Sequence, residues 1–358
     1  MSAGPDPETV VAVLEGTDVD EDPPESTLHR MTRSPVMITF AALVLIIIGF
    51  ALKAPGQFDT WSNFRQLAQN VAILTVVSVG TTFVIATAGV DLSIPSGIVL
   101  GEVFAVKALG LIDVKGVGTA VDVAGNESKA WYIIVALCGS LLAGLALGLV
   151  NGIAVGYMRI PPLLATLGTL GAGLGIALLL QNGVNTATYA LDPISNGHAI
   201  PGIPNLIPVA ALVVLLGIVM LNYSVFGRHT LAIGSNEEAA RRVGIKVERH
   251  LLKVYVLGGV TSGFAGFLSL SYFTTTSLSG HSTDNLSAIT AVALGGTSLF
   301  GGVATIVGTL IGVWIPAVLQ NGFVIIGVQP YWQSVVVGFV LIFTVWADQL
   351  RRRGRSLR

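Results

Sequence analysis

From Asn285 to Ala347 the chain runs for 63 residues without an Asp, Glu, Lys or Arg. That stretch is about three times the roughly 20 apolar residues that cross a bilayer as a helix. A water-soluble fold needs charged surface at much shorter intervals. The rest of the sequence agrees: 53% of its 358 residues are hydrophobic, 11% are charged and mean hydropathy is +0.78, where ordinary chains carry roughly 25% charge. The apolar segments do not alternate, which argues for helices and against an outer-membrane barrel. The expected fold class is therefore all-α, a polytopic membrane helix bundle. A net charge of −1 implies no nucleic-acid partner and leaves membrane lipid as the surroundings. The 43 glycines suit closely packed membrane helices, and the single Cys138 says nothing about redox chemistry.

Charge places the spans. Residues 1–28 hold eight acids and no Lys or Arg, so 1–33 reads as a disordered acidic cytoplasmic tail and not as a signal peptide. Arg30 and Arg33 then precede an uncharged run from Pro35 to Leu52, which orients the first span from the cytoplasm. Further spans are expected between Arg65 and Asp91, from there to about Gly110, over 130–158, 163–181, 205–221 and 254–274, with external loops at 111–130 and 182–204. The long uncharged stretch breaks at Gly295–Gly302 and Gly327–Pro330, and its first piece, 286–296, is short for a full span. The basic C-terminus, 349–358, demands a cytoplasmic end, so the count must be even and the short piece must cross as a broken helix. Ten spans result, within a transmembrane domain at 34–348, and 14 of the 19 Lys and Arg then fall on cytoplasmic segments. Gly144, Gly148, Gly152 and Gly156 line one face of the 130–158 span; they read as tight packing within the chain rather than as a dimer interface.

The largest basic loop, 222–253, contains Ser235-Asn236-Glu237-Glu238-Ala239-Ala240-Arg241-Arg242-Val243-Gly244-Ile245. Ser235 and Glu238 have capping-box spacing. Glu237/Arg241 and Glu238/Arg242 are i,i+4 pairs in the favourable orientation, and Gly244 stops the helix. A short charged helix of this kind belongs at the membrane surface, where it can dock a partner. Ala239, Ala240 and Val243 offer that partner a small apolar patch.

Catalytic machinery is not evident. There is no metal cluster, no nucleophile paired with a base and no Gly-x4-Gly-Lys-Ser/Thr phosphate loop, so the chain reads as a transport subunit that binds no cofactor or metal. Only Glu102 and Lys107 are charged inside an apolar stretch. Lys107 is placed to snorkel outward, and Glu102 either lines or gates a pathway or is hydrogen-bonded between helices. Asn151, Thr166, Thr169, Gln320 and Asn321 are polar groups within spans that line a path or bond between helices. Asp91, with Ser93 and Ser96, is expected to form a structural turn in which Asp91 caps the following helix.

Three stretches together resemble the inner-membrane permease subunits of ribose-type ABC sugar importers, within the monosaccharide and branched-chain amino acid permease superfamily. They are Gly89-Val90-Asp91-Leu92-Ser93-Ile94-Pro95-Ser96-Gly97; Asn151-Gly152 with Arg159-Ile160-Pro161-Pro162-Leu163-Leu164-Ala165-Thr166-Leu167-Gly168-Thr169; and Gly234 to Ile245 followed by Ala293 to Gly302. The likeness covers about residues 35–350. It implies a type II importer fold in the bacterial cytoplasmic membrane with both termini inside, a second permease copy, and an extracytoplasmic sugar-binding protein. It also implies a cytoplasmic ATPase, with two fused nucleotide-binding domains, that uses ATP and Mg and docks on Ser235, Glu237, Glu238, Ala239, Ala240, Arg241, Arg242, Val243 and Gly244. The sugar would be ribose-, xylose- or galactose-like; related permeases carry nucleosides or branched-chain amino acids. The sequence departs from the family pattern at Glu102, where a small residue is common, and at 275–287, which replaces a Gly-rich loop. An ion-coupled secondary transporter and a membrane scaffold remain the readings from other classes; the scarcity of intramembrane charge opposes the first.

Overall fold

The computed structural model describes residues 35–112, 130–329 and 331–356. The acidic tail, most of the first external loop and the last two residues lie outside the described residues. Thirteen helices follow in order: α1 (Pro35–Lys53), α2 (Trp61–Ala86), α3 (Ile94–Leu111), α4 (Ala130–Gly152), α5 (Pro162–Gln181), α6 (Asp192–Ser195), α7 (Leu206–Tyr223), α8 (Val225–Ser235), α9 (Glu237–Arg242), α10 (Val247–Phe273), α11 (Asp284–Leu294), α12 (Ile306–Ile325) and α13 (Tyr331–Ser356). A five-residue π-helical segment, Ile153–Tyr157, extends α4. No strand forms among the described residues.

Eight of these helices are long and apolar enough to span a bilayer, and α11 and part of α13 form shorter apolar helices. The ten elements match the expected spans closely. α11 has 11 residues, or about 16 Å at 1.5 Å per residue, roughly half of a 30 Å hydrocarbon core. The backbone beyond it is not helical through Thr305, and Gly302 N–H donates to the Ala86 carbonyl at 3.0 Å. The short piece is thus a half-helix continued by irregular chain, whose Gly301 and Gly302 lie against Gly234 and Ser235 at the end of α8. Gly296, Gly301 and Gly302 have φ of +90°, +80° and +80°, a region that side chains with a Cβ avoid.

Local chemistry sets the ends. Thr60 caps α2 by accepting from Asn63 N–H, Thr305 caps α12 by accepting from Gly308 N–H, and α5 begins on Pro162, whose fixed φ suits a first turn. α2 is the central helix: 89% of its apolar window is buried, against 17% for α1 at the periphery. Its Val76 and Val77 pack with Ile98 of α3 and with Phe267, Leu268 and Leu270 of α10. The glycine stripe of α4 lies against α10, so it serves packing within the chain. A Cβ at Gly144 would stand 2.3 Å from the Gly259 carbonyl oxygen, one at Gly148 would stand 2.6 Å from that of Tyr255, and one at Gly156 would meet the Glu248 carbonyl at 2.8 Å.

Two boundaries differ from expectation. The 222–253 segment contains the amphipathic α8, capped by Ser224, ahead of α9. α10 begins at Val247, two turns before the apolar run, because Glu248, Arg249 and Lys253 are good helix formers whose charges hid the start.

Candidate coupling and translocation sites

α10 separates two functional ends, with α9 just before its first residue and the 274–283 loop just after its last. At the first end, α9 is built almost wholly from its own sequence. Its N-cap is Asn236, whose Oδ1 accepts from Ala239 N–H at 2.9 Å. This corrects the capping-box assignment: Ser235 closes α8, and its hydroxyl donates back to the Leu231 carbonyl. The stop is a Schellman motif. Ile245 N–H donates to the Ala240 carbonyl, Gly244 N–H donates to that of Arg241, and Gly244 has φ +87°.

The two i,i+4 pairs are formed, Glu237–Arg241 at 2.8 Å and Glu238–Arg242 at 2.5 Å. Arg241 also reaches Glu248 of α10, which stands 3.8 Å from Arg159. The short charged helix is thereby tied to the 158–162 turn. Ala240 faces inward, 3% exposed among Ile233 and Val247. The outward patch is therefore narrower than expected and consists of Ala239 with Val243, the latter 78% exposed. A cavity of about 680 Å³ lies beside it, lined among others by Gly89, Arg159, Pro161, Glu237, Arg241 and Tyr255.

The polar residues of the 89–97 stretch and of α4 and α5 form one network. Asp91 Oδ1 accepts from Ser93 N–H at 2.8 Å and from Ser93 Oγ at 2.6 Å. Ser93 Oγ accepts from Asn151 Nδ2 at 2.8 Å, and Asn151 Oδ1 accepts from Thr169 Oγ1 at 2.6 Å. Thr166 Oγ1 accepts from Leu92 N–H at 3.0 Å, and Ser96 Oγ donates to the Ser93 carbonyl at 2.7 Å. Asp91 thus closes its own turn rather than capping α3, whose N-cap residue is Ser93. Asn151 and Thr166 are buried, and with Thr169 they brace this turn by bonding between helices; none lines either cavity. Asn321 is likewise occupied, in a reciprocal amide pair with Asn63 at 2.8 and 3.1 Å.

At the far end of α10 the 274–283 loop folds inward and buries His281. Glu102 of α3 is fully buried behind it. Its Oε1 accepts from Ser269 Oγ at 2.7 Å and lies 3.1 Å from His281 Nε2, and its Oε2 accepts from Ser277 N–H at 2.7 Å. His281 Nδ1 pairs with Asp284 at 2.7 Å. Glu102 is therefore an acid hydrogen-bonded between elements, not an exposed lining group. Burial alone would lower the His281 pKa, but the hydrogen bonds and charges of Asp284 and Glu102 outweigh it and hold the imidazole up at about 10. A cavity of about 540 Å³ opens beside this cluster, and Gln320 lines it. His281 and Asp284 are the site residues that sequence reasoning missed; the departure from family pattern at 275–287 was their signal.

Eight helices long and apolar enough to cross a bilayer, two shorter apolar helices and a capped charged helix between α8 and α10 describe a multi-pass membrane protein. The chain belongs to the family described as branched-chain amino acid transport system / permease component, which matches residues 63–345. It is 32% identical over 319 residues to the probable ABC transporter permease protein y4mJ of Sinorhizobium fredii, covering 88% of this chain and 89% of the relative. It is 31% identical to the fructose import permease protein FrcC of Rhizobium meliloti (91% and 88% covered) and 32% identical to the ribose import permease protein RbsC of Escherichia coli K12 (86% and 92% covered).

Proposed function

We propose that this chain is the membrane-spanning subunit of an ATP-driven importer in a bacterial cytoplasmic membrane, moving a monosaccharide of the ribose, xylose or galactose kind. The observation that carries the reading is α9: a six-residue helix with its cap, stop and both ion pairs satisfied internally, which still presents Ala239 and Val243 outward. Such a helix needs no partner for its own polar groups, so its exposed face is free to dock one. A cytoplasmic ATPase with two fused nucleotide-binding domains fits that role, with both termini of this chain on the same side. A second copy of the chain completes the pore, and an extracytoplasmic binding protein delivers the sugar. ATP and Mg act on the partner. Closure of the ATPase pushes α9, and Arg241–Glu248 passes the push to α10 and toward the Arg159 turn. A sugar is favoured over an amino acid because relatives at about this similarity are named for fructose and ribose import.

The test is gentle detergent extraction, affinity capture of the full chain and mass spectrometry of what accompanies it. The comparison is a variant with Glu237, Glu238, Arg241 and Arg242 all changed to Ala. An ATPase captured with the parent and lost from the variant is the expected result. A chain that emerges alone, or partners indifferent to the variant, overturns the docking assignment.

A further inference from the structure

The charges around α9 divide into matched and unmatched. Glu237, Glu238 and Glu248 are each held by Arg241, Arg242 or Arg159. Arg228 of α8, Arg249 and Lys253 of α10, and Lys246 just ahead of α10 are all exposed. Among the described residues none of these four forms an ion pair. Lys246 and Arg249 are three apart and Arg249 and Lys253 four apart, so they share one helix face and repel one another. Arg249 also stands in the first turn of α10, where the helix dipole opposes a cation. Charge arranged in this way is costly until an anion balances it.

Two rings tie the cations of α8 to those of α10. His250 is buried three residues before Lys253. Its ring centroid lies 4.6 Å from that of Phe226 and 5.8 Å from that of His229, the residue after Arg228. Its Nε2 lies 2.8 Å from Thr230 Oγ1. α8 is thereby fixed against the first turns of α10, and the basic residues of both helices stand on neighbouring surfaces.

The surroundings say what kind of anion fits. Leu212, Leu216, Val219 and Tyr223 recur at helical spacing along α7, and all are exposed. That apolar stripe ends in a tyrosine, a ring that settles at headgroup level. Val225 continues it, 54% exposed, and Arg228 follows three residues on. A stripe of this kind passing into a group of cations suits acyl chains above and phosphates below. An acidic protein surface would match the cations but not the stripe that leads to them.

We propose that the junction of α8 with the first two turns of α10 binds the phosphate headgroup of an anionic phospholipid, with Arg228, Arg249 and Lys253 as charged contacts and Lys246 at the edge. The acyl chains lie along α7. None of these residues belongs to the docking face assigned to α9, so the site holds whether or not a partner docks there.

The experiment uses the purified full chain in detergent and reads bound lipid by native mass spectrometry. Phosphatidylglycerol is the anionic probe and phosphatidylcholine the zwitterionic one. The parent is expected to retain phosphatidylglycerol several-fold over phosphatidylcholine. The preference should vanish when Arg228, Arg249 and Lys253 are all changed to Gln, and return in the charge-keeping variant Arg228→Lys, Arg249→Lys, Lys253→Arg. Lys253→Gln alone should lose part of it, which keeps the test decisive if the triple variant melts early. Changing Lys53, Arg65 and Lys107 to Gln removes the same charge at the end of α1, the start of α2 and the end of α3, and should leave the preference intact. Equal retention of both lipids by the parent, a preference that survives the triple Gln variant, or one lost equally in the Lys53, Arg65 and Lys107 variant overturns the site. Displacement of the lipid by inorganic phosphate at equal concentration overturns it in favour of a free-phosphate site. Capture of the ATPase that fails in the triple Gln variant while its lipid preference persists assigns the cations to the protein partner instead. An ATPase never captured at all removes the docking assignment and leaves the lipid result standing.

Discussion

The two ends of α10 are held together in opposite ways. At the α9 end, most polar contacts join residues within about a turn, Asn236 with Ala239, Glu237 with Arg241 and Glu238 with Arg242, and only those of Glu248 with Arg241 and Arg159 reach farther. Most of these groups are exposed, and exposed pairs contribute roughly 0–1 kcal/mol each. At the far end Glu102 meets His281 across 179 residues of sequence, in a fully buried site. The difference teaches how unequally the fold depends on its two ends. A surface helix made of cheap local contacts can be changed with little damage to the fold, whereas the buried triad cannot lose a member without leaving a charge or a polar group stranded.

The largest effect expected from this contrast is on Glu102→Ala. It removes one of the two counter-ions of His281 and the partners of Ser269 and Ser277, and should cost about 3 kcal/mol, read as a fall in Tm of the purified chain in detergent. A loss as small as that of an exposed α9 pair would erase the distinction between the ends. The second effect is on pH. His281 is held at about 10 against an ordinary 6.5, so the folded state favours the protonated ring. That stabilisation is complete below about 6.5 and is lost as pH rises through about 10, with a slope of at most about 1.4 kcal/mol per unit. Thermal melting from neutral pH upward should show the decline, and His281→Gln should flatten it. The smallest effect is at the cap. Asn236→Ala should cost about 1 kcal/mol of local helix stability, seen as faster hydrogen exchange at the Ala239 amide, while Ser235→Ala leaves that amide unchanged. The reverse order would return the cap to Ser235.

Legibility in the sequence followed the same divide. The spans were legible because uncharged length is a local property, and the same reading marked 286–296, which lies in α11, as too short for a full span. The two α9 ion pairs and the Gly244 stop were legible because they depend on spacing alone. The cap was displaced by one residue because Ser235 and Asn236 are both good caps, and only the three-dimensional exit of α8 decides between them. The Glu102–His281 contact was not legible, since no periodicity relates a residue in α3 to a loop after α10. Each stood out singly as a departure from the family pattern, and only the fold brings the two departures together. The same holds for Asn151, Thr166 and Thr169, whose residue types suit a pore wall as well as they suit a brace.

The glycine seam between α4 and α10 has one more consequence. With backbones in contact at Gly144, Gly148 and Gly156, the α4 side has no side chain there that could yield, and the pair is expected to move as one laminated beam. α10 has 27 residues, about 40 Å at 1.5 Å per residue. It starts beside α9 and ends at the loop that carries His281. A displacement applied at one end of such a beam has little slack in which to dissipate, so the lever arm from surface helix to cavity is fixed by glycines that touch neither.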